Sequence, residues 1–316
     1  MRTLVSGALG FIGSAYCRAF GTGRELIPLA RMSSNRFLDR LATTDLIGKV
    51  RWVDLARDDL TDHVADAERV VHFAAKTFVD RSISDPSPFI ESNVVGSYRL
   101  LEAVRKSRTV ERVWWQSTDE VYGAILEGSY TEDARLNPSN PYAATKAAAD
   151  ALAQSYFNTY GVRVIIGRAE NVYGPFQGRE KVIPTFVRAA LRRESLPVYG
   201  DGKHRRQWIH VDDVVRAVEH LLDVGTPGEV YHVAGAQELE NLELAQHVLL
   251  ALGITDDYHR HVRFVSDHDK RPGHDRRYAL DTTKVRATGW TPLVPLDIGL
   301  RDVVQWYADR RDWTFG

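Results

Sequence analysis

The sequence predicts an α/β fold in which helices cover both faces of a doubly wound parallel sheet. Short apolar segments alternate with helical stretches along the first half of the chain, and this alternation is typical of parallel sheets. A glycine-rich turn joins the first strand to the first helix. With 44% hydrophobic residues among 316, the chain can bury one large domain or two smaller ones that share an interface.

The individual elements follow from local patterns. Strands are predicted at residues 3–6, 25–29, 50–53, 70–73, 112–116 and 162–166, and a further strand at 229–234 is expected to join the same sheet. Two long helices are predicted at 88–105 and at Pro141–Tyr160, the second capped by Gly161. Beyond residue 168, glycine and proline become frequent, which favours a more irregular, substrate-binding region.

Composition limits the partners that can be predicted. A formal net charge of -1 gives no argument for nucleic acid or an anionic membrane as partner. No apolar run approaches the roughly 20 residues that a spanning helix needs. The single cysteine, Cys17, has no partner for an internal disulfide, which favours a reducing, cytoplasmic location. We predict no metal site, no nucleic-acid partner and no membrane partner.

Three glycines, Gly7, Gly10 and Gly13, lie between the first strand and a helix that begins near Phe11. Glycine at this spacing allows a tight turn and a close approach of the backbone to a pyrophosphate, which the helix N-terminus also attracts. We therefore predict a dinucleotide site, the alternative being a plain tight turn.

The adenosine end of that site is unusual. Asp54 follows the third strand and is a candidate contact for adenine, although an exposed loop aspartate is the other interpretation. The second strand ends in Ala30 and Arg31, where an acidic residue would bind the ribose of NAD. Arg31 is either a surface residue or a contact for the 2′-phosphate of NADP, so NAD is predicted and NADP stays open.

Tyr142 and Lys146 are separated by four residues on the alanine-rich helix, so they share one face. An ammonium beside a phenol favours the phenolate and is expected to lower the tyrosine pKa. Tyr142 is therefore a candidate base for a sugar hydroxyl that is losing hydride. Together with the glycine turn, this pair is typical of the short-chain dehydrogenase/reductase superfamily.

Thr118, Asp119 and Glu120 follow the strand at 112–116 and so lie at the carboxyl end of a parallel strand, where α/β sheets bind ligands. Two adjacent carboxyl groups can divide acid and base work when their environments separate their pKa values. A polar turn without catalytic function is the alternative for these residues in isolation.

Seven segments together closely resemble the dTDP-glucose 4,6-dehydratases, which are extended short-chain dehydrogenases. They are SGALGFIGS (6–14), HFAAKTFVDRSI (72–83), STDEVYG (117–123), NPYAATK (140–146), NVYGPFQGREKVIP (171–184), LPVYGDG (196–202) and RPGHDRRYALD (271–281). The resemblance implies a Rossmann-type domain at 1–168 plus about 207–235. A smaller, partly interleaved substrate domain is implied at 169–206 plus about 236–316. It further implies a homodimer in which the two long helices form a four-helix bundle.

The resemblance also implies a reaction with assigned roles. Tyr142 takes the proton of the C4 hydroxyl as NAD accepts the C4 hydride, and Thr118 hydrogen-bonds to that hydroxyl. Glu120 then removes the C5 proton while Asp119 protonates the departing C6 hydroxyl. Hydride return to C6 and reprotonation of C5 then give a 4-keto-6-deoxy sugar.

Further contacts are implied by matching position to position. NAD would contact Phe11, Ile12, Asp54, Leu55, Ala74, Ala75, Thr77, Ser92, Tyr142 and Lys146, in addition to the three glycines. The nucleotide sugar would contact Ser82, Thr118, Asn171, Lys181, Val182, Pro197, Tyr199, Arg206, Asn241, Arg271, His274 and Tyr278. Lys181 and Arg206 suit a diphosphate chemically, because it needs cationic donors.

The chain departs from the family pattern at six positions, and none of them belongs to the five residues assigned to catalysis. They are Ala30, Glu170, Val172, Gln207, Asp213 and Lys270. Those after Ala30 are expected around the nucleotide-sugar site, so the nucleobase and hexose stay open. Alternatives are a nucleotide-sugar 4-epimerase or UDP-glucuronate decarboxylase, which need no acid at Asp119, and an inactive Rossmann binding or sensor protein.

Overall fold

The computed structural model describes residues 1–266 and 275–315. Seven of its strands form one parallel sheet in the order β10-β6-β5-β4-β1-β2-β3. The strands of the described ranges are β1 (Arg2–Ser6), β2 (Glu25–Ala30), β3 (Arg51–Trp52), β4 (Arg69–His72), β5 (Arg112–Thr118), β6 (Val164–Ala169), β7 (Asn171–Tyr173), β8 (Leu196–Tyr199), β9 (Arg205–His210), β10 (Val230–Val233), β11 (Glu238–Glu240) and β12 (Val262–Val265).

Helices cover both faces of this sheet, as predicted. The α-helices are α1 (Phe11–Phe20), α2 (Thr61–Ala65), α3 (Val79–Ser84), α4 (Ser87–Phe89), α5 (Gly96–Lys106), α6 (Pro141–Tyr160), α7 (Val182–Leu191), α8 (Val211–Val224), α9 (Asn241–Ala251), α10 (Thr283–Ala287), α11 (Leu296–Asp309) and α12 (Arg311–Phe315). Segments of 3₁₀ helix lie at Met32–Leu41, Ile47–Lys49, Asp119–Tyr122 and Tyr258–His261.

Two apolar cores sandwich the main sheet. On one face, Tyr16 of α1 packs with Val214 and Val218 of α8. On the other face, residues of α5 and α6, including Leu101 and Ala153, pack against β4, β5 and β6. The strand at 229–234 is confirmed as β10, which lies beside β6 at the edge of the sheet.

A third core lies outside the main sheet. It joins α7, α9 and α11, with Phe186, Leu244 and Val304 among its buried side chains. Beside it, β9 pairs in parallel with β7 and antiparallel with β11, and β12 pairs with β8. Apart from β10, the strands that follow β6 are short and build two small sheets instead of extending the large one.

The two long helices differ in regularity. Helix α6 has the predicted bounds: the Asn140 side chain accepts a hydrogen bond from the Ala143 backbone N–H at 2.9 Å, and Gly161 ends the helix at φ 72°. The helix predicted at 88–105 is continuous with α4 and α5, but Ile90–Val95 forms a π-helical turn. Within the described ranges, no helix combines the length and apolarity needed to cross a membrane.

Candidate active site

The turn between β1 and α1 has room only for glycine at two positions. Gly7 has φ 72°, and a Cβ there would lie 2.8 Å from the Ala74 backbone. A Cβ on Gly13 would lie 2.2 Å from the Gly7 carbonyl oxygen. Because real Cβ atoms do not approach backbone this closely, only glycine can occupy positions 7 and 13 in this turn. The turn leads into the N-terminus of α1, which attracts anions.

Two connected cavities extend from this turn. The first, of about 230 Å³, lies at the ends of β1, β2 and β4, and the second, of about 510 Å³, extends over the ends of β5 and β6. Both are lined by Gly7, Gly10 and Ala75. The first is also lined by the predicted cofactor residues Arg31, Leu55, Ala74 and Ser92, and the second by Phe11, Ile12, Gly13, Thr77, Tyr142 and Lys146.

Arg31 and Asp54 meet at the rim of the first cavity. The Arg31 Nε atom lies 3.4 Å from Asp54 Oδ2, and Asp54 Oδ1 accepts a hydrogen bond from the Ala56 backbone N–H at 3.1 Å. Neither is a solitary surface charge, because each partly neutralises the other. Ser33 and Ser34 line the same cavity beside Arg31.

The five residues predicted to be catalytic lie together in the second cavity: Thr118, Asp119, Glu120, Tyr142 and Lys146. Thr118 ends β5, and its hydroxyl donates to Asp119 Oδ1 at 3.0 Å. The Tyr142 phenol lies near the same hydroxyl, which acts to lower the phenol pKa. The structure therefore assembles an acid, a second carboxyl group and a phenol around one threonine.

The predicted lowering of the Tyr142 pKa by Lys146 is wrong. Burial raises the Tyr142 pKa, and the nearby charges of Glu120 and Asp119 raise it further. The Lys146 ammonium is directed elsewhere: its Nζ atom donates to the Gln116 carbonyl at 2.6 Å. Burial in turn lowers the Lys146 pKa, although the charge of Asp150 opposes this.

Asp119 has the environment of a general acid. It is 4% exposed, and burial, followed by the charge of Glu120, raises its pKa to about 7. Glu120 is only half-buried, and its Oε2 atom accepts a hydrogen bond from Asn140 Nδ2 at 3.3 Å. Two adjacent carboxyl groups thus have different surroundings, which is the arrangement that separates an acid from a base.

A third cavity, of about 310 Å³, opens from the carboxyl pair toward the C-terminal part of the chain. Most predicted substrate residues line it: Asn171, Lys181, Val182, Pro197, Tyr199, Arg206, Asn241 and Tyr278. The Arg206 guanidinium stacks over the Tyr278 ring at 4.4 Å, and Tyr278 donates to Asp275 Oδ2 at 2.6 Å. Lys181 lies where this cavity meets the second one.

Ser82 does not have the predicted substrate contact. It is fully buried, and its hydroxyl donates to the Val79 carbonyl at 2.7 Å and accepts from the Tyr142 backbone N–H at 3.1 Å. Ser82 therefore anchors the first turn of α6, which carries the tyrosine. Arg271 and His274, as well as the departing residue Lys270, lie outside the described residues.

The positions at which the chain departs from the family pattern do not all lie at the sugar site, contrary to expectation. Asp213 accepts hydrogen bonds from the Leu293 and Val294 backbone N–H groups at 2.9 and 3.0 Å, so it fixes the segment before α11. Glu170 and Val172, in contrast, line the second cavity. Gln207 accepts from the Leu280 backbone N–H at 3.0 Å.

Two asparagines contribute to the site without having been predicted. Asn140 caps α6 and donates to Glu120, and an asparagine before Pro141 is a recognisable helix-start signal. Asn93, in the π-helical turn, accepts from the Lys76 backbone N–H at 2.8 Å and donates to Thr145 at 3.0 Å. It ties the cofactor-side loop to α6, and no local sequence pattern indicates this.

The fold and site define a dinucleotide-binding α/β enzyme with an active site at the carboxyl edge of the sheet. The model of the NAD dependent epimerase/dehydratase family matches residues 3–234. A dTDP-glucose 4,6-dehydratase of Streptomyces niveus is 43% identical to this chain, covering 99% of it and 94% of that protein.

Solved structures agree with this assignment. The chain is similar to the dTDP-glucose 4,6-dehydratase DesIV of Streptomyces venezuelae, crystallised with NAD, with a TM-score of 0.91 at 42% identity over 99% of this chain and 98% of that one. It is also similar to the UDP-glucose 4-epimerase of Thermus thermophilus in complex with NAD, with a TM-score of 0.85 at 29% identity over 98% and 100% of the chains.

The chain belongs to the NAD-dependent epimerase/dehydratase family and, within it, to the dTDP-glucose 4,6-dehydratases. The predicted family, Rossmann-type fold, enzyme class and NAD cofactor are thereby confirmed.

Proposed function

We propose that this chain is an NAD-dependent nucleotide-hexose 4,6-dehydratase that converts dTDP-glucose to dTDP-4-keto-6-deoxyglucose. The observation that carries the proposal is the pair Asp119 and Glu120, which faces Tyr142 in one cavity and whose first member has a pKa of about 7. An epimerase leaves the C6 hydroxyl in place and needs no acid there, so Asp119 would have no role in epimerisation.

The first and second cavities fit NAD. The glycine turn is tight, because a Cβ on Gly7 or Gly13 would clash with the Ala74 backbone or the Gly7 carbonyl oxygen. Such a turn at a helix N-terminus is what a pyrophosphate site requires. Arg31, Asp54, Leu55, Ala74, Ala75 and Ser92 are proposed for the adenosine half, and Gly10, Phe11, Ile12, Thr77, Tyr142 and Lys146 for the remainder. Bound NAD supplies the hydride acceptor, the later hydride donor and a positively charged ring that favours a nearby phenolate.

In the oxidation step, Tyr142 removes the proton of the C4 hydroxyl and Thr118 holds that hydroxyl by a hydrogen bond. The phenol starts neutral because its pKa is raised by burial and by the charge of Glu120. Positive charge beside it is therefore a condition for its action as a base. Lys146 would supply part of that charge once its ammonium turns from the Gln116 carbonyl toward the phenol.

In the elimination step, the C4 ketone makes the C5 proton acidic and Glu120 removes it. Its half-buried carboxylate, oriented by Asn140, suits a base at neutral pH. Asp119 supplies the proton to the departing C6 hydroxyl, and water leaves. With a pKa of about 7, Asp119 is still protonated in about half of the molecules at pH 7.

The third cavity is proposed to hold the nucleotide. Lys181 and Arg206 are its cationic groups, and a diphosphate needs such donors. Asn171, Val182 and Asn241 are proposed to contact the sugar and phosphates, with Pro197, Tyr199 and Tyr278 at the nucleobase. Arg271 and His274 belong to the same proposal from the sequence alone.

The quaternary and domain organisation is also proposed. Ile90, Val95, Tyr98 and Tyr160 expose large apolar surfaces on the two long helices, and such surfaces are typical of an interface. We propose a homodimer that covers them with a four-helix bundle. The domain division is proposed as 1–168 plus about 207–235 and 169–206 plus about 236–316, and the location as cytoplasmic.

The experiment is to incubate the purified protein with dTDP-, UDP-, GDP- and CDP-hexoses and to analyse the sugar products. A 4-keto-6-deoxy product, formed best from dTDP-glucose, supports the proposal. The similarity to a UDP-glucose 4-epimerase makes 4-epimerisation the alternative. A galactose-configured product with an intact C6 hydroxyl would show that the enzyme epimerises its substrate and does not dehydrate it.

A further inference from the structure

A second carboxyl group lies beside the proposed acid. Thr118 of β5 and Ala169 of β6 are paired in register, and Asp119 and Glu170 are the residues that directly follow them. Neighbouring strands lie about 4.8 Å apart, so the two side chains emerge next to each other. Both line the second cavity, and each is 4% exposed.

Each of these carboxyl groups is only half satisfied. Asp119 Oδ1 accepts from the Thr118 hydroxyl, and Glu170 Oε1 accepts from the Leu280 backbone N–H at 2.9 Å. Among the described residues, the buried atoms Asp119 Oδ2 and Glu170 Oε2 have no hydrogen-bond partner. An unpaired buried polar atom is costly, and a proton held between these two carboxyl groups would satisfy both oxygens.

The surrounding charges make Glu170 the group that keeps its proton. Glu120 and Arg206 act on Asp119 with opposite signs, and the Tyr142 phenol nearby is neutral. For Glu170, burial raises the pKa well above its usual range, and the charge of Asp119 raises it further. Glu238 and Arg277 form an ion pair, and their effects on the Glu170 pKa have opposite signs. These surroundings favour a neutral Glu170 beside an ionised Asp119.

We propose that Glu170 is a positioning residue whose neutral carboxylic acid hydrogen-bonds to the Asp119 carboxylate each time Asp119 gives up its proton. The inference rests on the proposed dehydratase function. In the elimination step the Asp119 O–H bond breaks, the proton joins the departing C6 hydroxyl as water, and one negative charge stays on Asp119. The Glu170 O–H then donates a hydrogen bond to that charge, and Glu170 keeps its own proton. A proton from solvent later restores Asp119.

The test is the pH dependence of elimination in Glu170→Gln and Glu170→Ala. The glutamine amide still donates a hydrogen bond, so the alkaline limb set by Asp119 should stay within about half a pH unit of wild type. Alanine removes the donor, and the limb should move up by about one pH unit or more, since a hydrogen bond to a charge stabilises it by about 1.5 kcal/mol or more. Gln207→Ala is the matched control: it loses a bond to the same Leu280 N–H but should not move the limb.

The opposite sign would overturn the proposal. If Glu170 were an anion, removing it would shift the limb to lower pH, and the glutamine and alanine variants would behave alike. A limb that moves equally in Gln207→Ala would assign Glu170 a purely structural role. Loss of C4 oxidation in every protein, wild type included, would instead refute the dehydratase function.

A second readout needs no substrate. At pH 8, infrared difference spectra between wild type and Glu170→Gln should show the loss of one protonated carboxylic acid band. Loss of a carboxylate band in its place would contradict the proposal. Because glutamine has nearly the shape of glutamate, this comparison stays decisive even if Glu170→Ala does not fold.

Discussion

The substitution Asp119→Asn removes the proton that the proposed mechanism delivers to the C6 hydroxyl, while it keeps the shape of the side chain. In wild type, a pKa of about 7 leaves about half of Asp119 protonated at pH 7 and about one tenth at pH 8. The elimination rate of the wild type should therefore fall about tenfold per pH unit above pH 7. Loss of a general acid typically slows a step by about 10²- to 10⁴-fold.

For Asp119→Asn we expect elimination to be slowed by that factor. Its rate should also no longer fall above pH 7, where wild-type Asp119 loses its proton. Oxidation at C4 should persist, so reduced nicotinamide should accumulate on the enzyme. A rapid-mixing experiment with dTDP-glucose measures both steps, by absorbance and by mass analysis of the sugar. Asp62→Asn, an exposed carboxylate on α2, is the control for removal of a charge. An unchanged rate, or a variant that retains the alkaline limb, would refute the assignment of Asp119 as the acid.

Three further predictions concern Glu120, Gly13 and the stability of Asp119→Asn. Glu120→Gln should abolish incorporation of solvent deuterium at C5, because no base removes that proton; normal labelling measured by mass spectrometry would exclude Glu120 as the base. Gly13→Ala should lose NAD binding in titration calorimetry, because its Cβ would lie 2.2 Å from the Gly7 carbonyl oxygen; wild-type affinity would contradict the proposed pyrophosphate site. Asp119→Asn should also be more stable than wild type at pH 8 but not at pH 4. The native pKa is raised from 3.8 to about 7, so wild-type stability falls as pH rises through that window, by at most about 4 kcal/mol. Parallel thermal melts that show no such crossover would count against a neutral Asp119.

The sequence was sufficient for features that depend on local backbone geometry. The bounds of α6 follow from Asn140, Pro141 and Gly161, a cap, a first-turn proline and a left-handed end residue. The glycine turn follows from contacts that exclude any side chain. The placement of Asp119 and Glu120 at the carboxyl end of β5 follows from the rule for parallel sheets.

Features that depend on packing between distant segments were not predictable. The direction of the Tyr142 pKa shift depends on burial and on carboxylates that approach from another element. Ser82 shares its motif with cofactor-side residues, yet only the packing of α3 on α6 shows that its hydroxyl is used internally. The pairing of Arg31 with Asp54 joins two loops 23 residues apart, and no spacing rule relates them.

The most direct test of the proposed cycle follows one hydrogen atom. A dTDP-glucose molecule deuterated at C4, mixed with an excess of unlabelled substrate, should deliver its deuterium to C6 of the same product molecule. Deuterium at C6 with no crossover into unlabelled molecules is the expected result. Label that is lost to solvent, or that remains at C4 of an epimerised sugar, would contradict dehydration by an internal hydride cycle.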